Sequence, residues 1–341
     1  MFLTIVMASC SENNDQNNDV AAYSSMREEI TAISNQLLSA ITLTPPSHSL
    51  HVPSLPVDLV VEILCRLPVK LLLQLRCVCK SWNHLISHPK FTKKHLSTTR
   101  SRLRLVTHTN VPGKLVIATY PLDSVFTGIT TNITNFVEYE EKYRLNKFDY
   151  IVGSYDGIVC LVEYYQNAVL LRNPSIRKFN QSPPWKMPRI FRSFSLRLTY
   201  GFGYDHVSDA YKVVVAIGYT AYDNRTVVDK TELKVYTLGT DVWKTVEEEF
   251  PVGVKLRTHD MVRHEGKFVS GKINWLACKD CCKENTYSIV SFDLGNESYQ
   301  QLLLPDLGEI RDARELLLGV LRDCLCLISG HDVWIMKEYG N

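Results

Sequence analysis

Over 341 residues this chain has no stretch approaching the ~18 to 20 uninterrupted apolar residues that a membrane helix needs. It also lacks an excess of one charge. Its 38 Lys and Arg stand against 36 Asp and Glu, a formal net charge of +2. Polyanionic partners usually demand a clustered basic surplus, so neither nucleic acid nor a membrane surface is an expected partner. Catalytic signatures are missing too: there is no Gly-x-Ser-x-Gly elbow and no Gly-Lys-Ser/Thr loop. Gly201-Phe202-Gly203 opens like a phosphate loop but has no third Gly and no following helix, so it reads as a bend that lets the chain turn tightly before Tyr211 to Val215. The expectation is a non-catalytic protein without a cofactor.

Metal-ligand spacing is absent as well. The 10 cysteines run from Cys10 to Cys326 without a regular interval, several inside apolar runs, and read as reduced core residues. Cys278, Cys281 and Cys282 crowd together, but no second Cys or His pair follows at the spacing a structural zinc site requires, so they read as loop thiols. His84 and His88 stand four apart as in a zincin helix. Leu85 replaces the Glu of His-Glu-x-x-His, and both histidines are expected to face solvent. No metal is expected. The apolar start Met1 to Ala8 has no positive flank, and Glu12 and Asp15 follow soon after, so it does not read as a signal peptide. On that reading the sequons at Asn132, Asn180, Asn224 and Asn296 are accidental, and the expected location is cytoplasm and/or nucleus.

What is present falls into three textures. Residues 1–52 carry Asn, Ser and Thr runs and the Pro45-Pro46 break, and are expected to be disordered apart from a short helix around Met26 to Ile41, where Ile30, Ile33, Leu37 and Ile41 recur at helical spacing. Residues 54–99 turn abruptly to dense Leu, Val and Ile. Their prolines predict three short helices, with Pro56 and Pro68 in first turns and Pro89 ending the last. From about residue 100 the period becomes two, in runs such as GIVCLVEYY and YKVVVAIGY between Gly, Asn, Asp and Pro turns, and no helix-length pattern interrupts them. An internal echo marks this β region. Apolar strands from Gly153, Ser270 and Gly319 are each followed by a second strand. Such second strands start near Ala168, Leu233, Ile289 and Asp332, about 65, 56 and 43 residues apart, against ~40 to 50 for blade-like repeats. The fold class expected is α+β multidomain: a short three-helix module, then a mainly antiparallel, all-β, propeller-like domain.

The helical module carries the strongest functional signal. About 45 residues is near the lower limit for independent folding, and the helices are apolar over more of their circumference than three short cylinders can bury on one another. That surplus surface is open to two readings, a partner protein or the β region. The residues Leu55-Pro56, Ile63-Leu64, Leu67-Pro68-Val69, Leu72, Val78-Cys79-Lys80-Ser81-Trp82 and Phe91 resemble the F-box along its whole length. Leu71 stands where a small polar residue is usual and Gln74 where a basic one is common. The resemblance implies three helices that interlock with the adaptor Skp1 and, through it, a cullin. Positions matching the family's contacts are Leu55, Pro56, Leu59, Ile63, Leu64, Leu67, Pro68, Val69, Leu72, Leu75, Val78, Cys79, Trp82, Leu85 and Ile86.

Residues 103–341 resemble the plant F-box-associated domain (type 1, kelch-like), matching its signatures in order at GSYDGIVCL, LRNPSIRKF, YGFGYDHVSDAYKVV, VYTLGTDVWKTV and VWIMKEYG. That family normally continues for at least one more strand group, so the expected propeller is incomplete at its C-terminus. The implied role is a substrate receptor of a Skp1-cullin-F-box ubiquitin ligase with an unidentified protein target. Loops on a rigid β scaffold carry recognition. The candidate target anchors, taken as lying outside the blade strands, are Trp185, Arg189, Phe191, Arg192, Phe194 and Arg197, with plain burial or loop disorder as the competing reading. Two rival functions stand beside this one: a truncated Skp1-binding competitor without a target, and a propeller hydrolase or ligand-binding protein.

Overall fold

The computed structural model describes residues 3–4, 56–99, 104–111, 114–121, 136–138, 150–173, 176, 178–187, 193–223, 226–251, 253–256, 265–278, 287–304, 316–321, 323–330 and 332–339. Contacts divide the chain into two units, Met1–Thr109 with Val116–Tyr139 and Pro174–Ile176, and Asn110–Leu115 with Glu140–Asn173 and Arg177–Asn341.

The first unit opens its described helical part with α1 (Val57–Cys65), α2 (Val69–Leu75), α3 (Lys80–Ser87) and α4 (Pro89–Thr99). Pro56 and Pro68 sit at the N-caps of α1 and α2, where a missing N–H costs nothing. The Pro56 carbonyl accepts from the amides of Leu59 and Val60, and that of Pro68 from Leu72. The expectation of three helices is corrected to four. Pro89 ends α3 as expected, but the same fixed φ that stops one helix suits the first position of the next, and Pro89 opens α4. Helix α4 packs on α1 and α3. The core gathers Val60, Leu64, Cys65, Leu72, Trp82, Ile86 and Phe91. His95 of α4 is buried there and hydrogen-bonds the Leu67 carbonyl at 2.9 Å. Strands β1 (Leu3–Thr4), β2 (Arg104–Val111), β3 (Lys114–Pro121) and β4 (Phe136–Glu138) form one sheet in that order. The helix considered over Met26 to Ile41 lies outside the described residues.

The second unit is a succession of antiparallel sheets, propeller-like as expected. The first holds β5 (Tyr150–Tyr155), β6 (Ile158–Glu163), β7 (Ala168–Asn173) and β8 (Lys178–Gln181). The second holds β9 (Ser193–Asp205), β10 (Ala210–Asp223), β11 (Thr226–Thr237) and β12 (Trp243–Thr245). The third holds β13 (Lys255–Leu256), β14 (Lys267–Val269), β15 (Lys272–Cys278), β16 (Tyr287–Asp293) and β17 (Tyr299–Leu303). The last holds β18 (Leu317–Leu321), β19 (Cys324–Ser329) and β20 (Asp332–Ile335).

Each sheet seals one face on the next. Val162, Val169 and Leu171 of the first meet Val213, Val215 and Ile217 of the second, whose other face offers Val214, Ala216 and Leu233 to Ile273, Trp275 and Phe292 of the third. The hairpin turns Asp156-Gly157 and Ser270-Gly271 have positive φ at both residues, 49° and 76° in one and 51° and 78° in the other, as the right-handed twist of the flanking strands demands.

Gly201 and Gly203 correct the expected bend. Both lie inside the continuous strand β9, and their use is close approach rather than turning: a Cβ on Gly203 would stand 2.1 Å from Phe268 Cδ2. The echo starting near Leu233 is also shifted, because β10 and β11 run for 14 and 12 residues and β11 already starts at Thr226.

Candidate functional site

With about 100° between successive helical residues, Val60, Leu64 and Cys65 span an arc of about 140° on α1, while Leu59 and Ile63, one turn apart, flank that arc next to Val60. The core takes the first set. Leu59 is 53% exposed and Ile63 38%, one helical turn apart, with Val57 exposed at the helix start and Val78 in the turn between α2 and α3. Among the described residues these side chains stand outside the core that the module builds, and adjoining exposed apolar side chains are surface that a partner can cover.

The matched adaptor-contact positions therefore divide. Pro56, Leu59, Ile63 and Val78 are exposed. Leu67, Pro68, Val69, Leu75, Cys79 and Leu85 are half-buried, and Leu64, Leu72, Trp82 and Ile86 are core. Leu55 lies outside the described residues. Around the exposed pair the helix is held by polar contacts. Glu62 bridges Lys94 of α4 at 3.1 Å and Arg66 at 3.3 Å, and hydrogen bonds from Lys94 and then Arg66 hold its carboxyl below the usual range. Arg76 Nε donates to Asn83 Oδ1 at 3.0 Å, tying the end of α2 to α3. His84 and His88 are exposed, as expected. His95 escaped the sequence reading, because a lone His inside KFTKKHLSTT looks like one more polar residue of a solvated helix.

Of the expected target anchors, Trp185, Phe194 and Arg197 fall among the described residues. Trp185 is 2% exposed and packs edge-on to Tyr200 and Trp243, at 5.7 and 5.4 Å between ring centres. It is a core residue between the first two sheets, not a loop anchor, because the Pro183-Pro184 link folds it inward and its amide donates to the Asn167 carbonyl at 2.8 Å. Phe194 and Arg197 stand within β9, not outside the strands, and Arg197 lies over Gly218 of β10. Arg189, Phe191 and Arg192 are outside the described residues. Cys278 is likewise no loop thiol: it is buried at the end of β15 and disulfide-bonded, against the reduced state expected of it. Burial pushes the Cys65 thiol up, as it does that of Cys326, and Cys160 is raised by the same cause.

A helical module presenting apolar side chains outward, joined in one chain to a propeller of antiparallel sheets, defines an adaptor-type binding protein. The comparisons with known proteins fit that class. The F-box domain matches residues 52–94, and the F-box associated beta propeller domain matches residues 107–319. An F-box/kelch-repeat protein of Arabidopsis thaliana is 32% identical over 305 residues, 84% of this chain and 76% of the relative. The F-box protein CPR1 of the same plant is 27% identical over 303 residues, covering 84% and 70%. The chain belongs to the family of plant F-box proteins with an F-box associated β-propeller domain. Such a pairing of domains is in general that of a substrate adaptor in a Skp1-cullin-F-box complex, typically a non-catalytic role.

Proposed function

We propose that this protein is the substrate-recognition subunit of a Skp1-cullin-F-box E3 ubiquitin ligase of the cytoplasm and/or nucleus. The F-box docks a Skp1-like adaptor and through it a cullin, and the β domain holds a protein target. The observation carrying this reading is the exposed apolar pair Leu59 and Ile63, one turn apart on α1 and flanking its core residues. Covering them with an adaptor removes apolar surface from water without any rearrangement of the helices. The chain itself performs no bond chemistry. Its contribution is proximity, presenting a lysine of the target to ubiquitin carried by other subunits.

The test is co-purification with Skp1 and cullin. Leu59→Glu with Ile63→Glu puts charge where a dry contact forms, and recovery of both partners is expected to fall at least tenfold while the helical circular dichroism stays unchanged. Recovery equal to wild type defeats the proposal. Leu64 is unsuitable for this purpose because it is fully buried, so a charge there reports unfolding rather than docking.

A further inference from the structure

Helix α4 carries an exposed face that the core does not use. Lys90, Lys93, Lys94 and Ser97 recur at i, i+3, i+4 and i+7, so they share one side of the helix, apart from the buried Phe91 and His95. All four are exposed. The module around them is strongly cationic: residues 56–99 hold seven Lys and Arg against two Asp and Glu, although the whole chain is nearly balanced. Of the two acids, Asp58 lies in the first turn of α1, and Glu62 already bridges Lys94 and Arg66.

Ser97 is the hydroxyl that this face presents. Its Oγ donates to the Lys94 carbonyl at 2.8 Å, and Thr98 Oγ1 donates to the same carbonyl at 2.9 Å. Both belong to the last turn of α4, where helical hydrogen bonds open at little cost. The two differ in what precedes them. Ser97 has Lys94 three residues before it and Lys93 four before it, whereas the residue three before Thr98 is the buried His95. An exposed serine with two ammonium groups one turn upstream is what a protein kinase with an acidic substrate cleft selects by charge complementarity.

We propose that Ser97 is a phosphorylation site for such a basophilic kinase and that its phosphate lowers adaptor docking, the second part resting on the function proposed above. The γ-phosphoryl group of ATP is transferred: a P–O bond forms to Ser97 Oγ, the bond to the bridging oxygen of ADP breaks, and the hydroxyl proton passes to a base of the kinase. The product carries about −1.5 to −2 charges one turn from Lys94. Lys94 lies 3.1 Å from Glu62, and the phosphate competes for that ammonium. Glu62 then keeps Arg66 alone, and its carboxylate stands beside Ile63 in α1 with less counter-charge. Docking has to desolvate it together with Ile63, which costs more than covering a paired group. The new charge also sits at the C-terminal end of α4, where the helix dipole disfavours an anion, so the last turn loosens.

For the test, the full chain is incubated with ATP and a purified calcium-dependent basophilic kinase, phosphate is mapped by mass spectrometry, and Skp1 recovery is then measured. Phosphate on Ser97 is expected, forming at least tenfold more slowly when Lys93→Gln and Lys94→Gln are combined. Skp1 recovery of the phosphorylated wild-type chain, which needs no variant to fold, is expected to fall at least threefold and to return after phosphatase treatment. Kinase treatment of Ser97→Ala is expected to leave recovery unchanged. No phosphate on Ser97 overturns the proposal, as does phosphate there with recovery unaltered. An equal loss of recovery in kinase-treated Ser97→Ala overturns it too, because another residue then carries the effect. Failure of the unmodified wild-type chain to recover Skp1 strikes the function proposed above and leaves the Ser97 assignment to be decided by the phosphate map.

Discussion

Single residues decide how closely the sheets of the second unit approach. Gly203 and Gly201 face Phe268 and Ile273 across the sheet interface, at 2.1 and 2.3 Å from where a Cβ would stand. One methyl group there must move a ring or a branched side chain inside a filled core. Gly203→Ala is expected to cost ~1–3 kcal/mol, read from the urea midpoint at constant slope. The same interface holds a buried charge pair. Lys212 Nζ lies 2.9 Å from Asp205 and donates to the Leu294 carbonyl at 2.8 Å. Burial pushes the Asp205 carboxyl up, but hydrogen bonds from Ser208, Lys212 and the Val207 amide, with the charge of Lys212, outweigh it and hold the group below its ordinary range. The folded value then lies below the unfolded one of about 3.9, so this stabilisation is complete above that pH and fades as pH falls through the folded value. Asp205→Asn is expected to remove that acid-side dependence in a stability-against-pH series. It leaves the buried ammonium with only the more distant Glu297, at 3.9 Å, as counter-charge, a loss approaching the ~3–5 kcal/mol of a broken buried pair at neutral pH.

At the scale of elements, α1 separates two uses of leucine that look alike in a sequence. Leu64→Ala empties a fully buried site and is expected to cost ~2–5 kcal/mol in thermal or urea unfolding. The exposed pair Leu59 and Ile63 is expected to change stability by no more than ~0.5 kcal/mol on substitution with Glu, the whole effect appearing in adaptor recovery. Proline punctuation and apolar spacing made α1, α2 and α3 legible because those signals are local, whereas the run read as one strand from Gly153 hides a hairpin turn at Asp156-Gly157. Helix α4 was not legible, since Pro89 was given one duty and has two. Nor was the division between docking and core positions, which depends on where neighbouring helices fall. Trp185 shows the same limit. An aromatic beside two prolines reads as a loop anchor until the Asn167 carbonyl takes its amide and the first two sheets close over it. Trp185→Ala is expected to cost ~3–5 kcal/mol.

For the whole molecule, the proposed function makes adaptor binding and target binding separate acts, with ubiquitin transfer as their joint outcome. The matched domains cover residues 52–94 and 107–319, so the residues that set each act are distant in sequence and can be altered singly. Sites without shared partners contribute nearly additively. A chain carrying Leu59→Glu and Ile63→Glu should consequently keep its client and lose its ligase. Expressed in excess, it withholds the client from intact receptors by mass action, as any non-productive binder does. The expected outcome is a client half-life lengthened relative to cells expressing the wild-type chain, measured after protein synthesis is stopped on proteins recovered with the chain under proteasome inhibition.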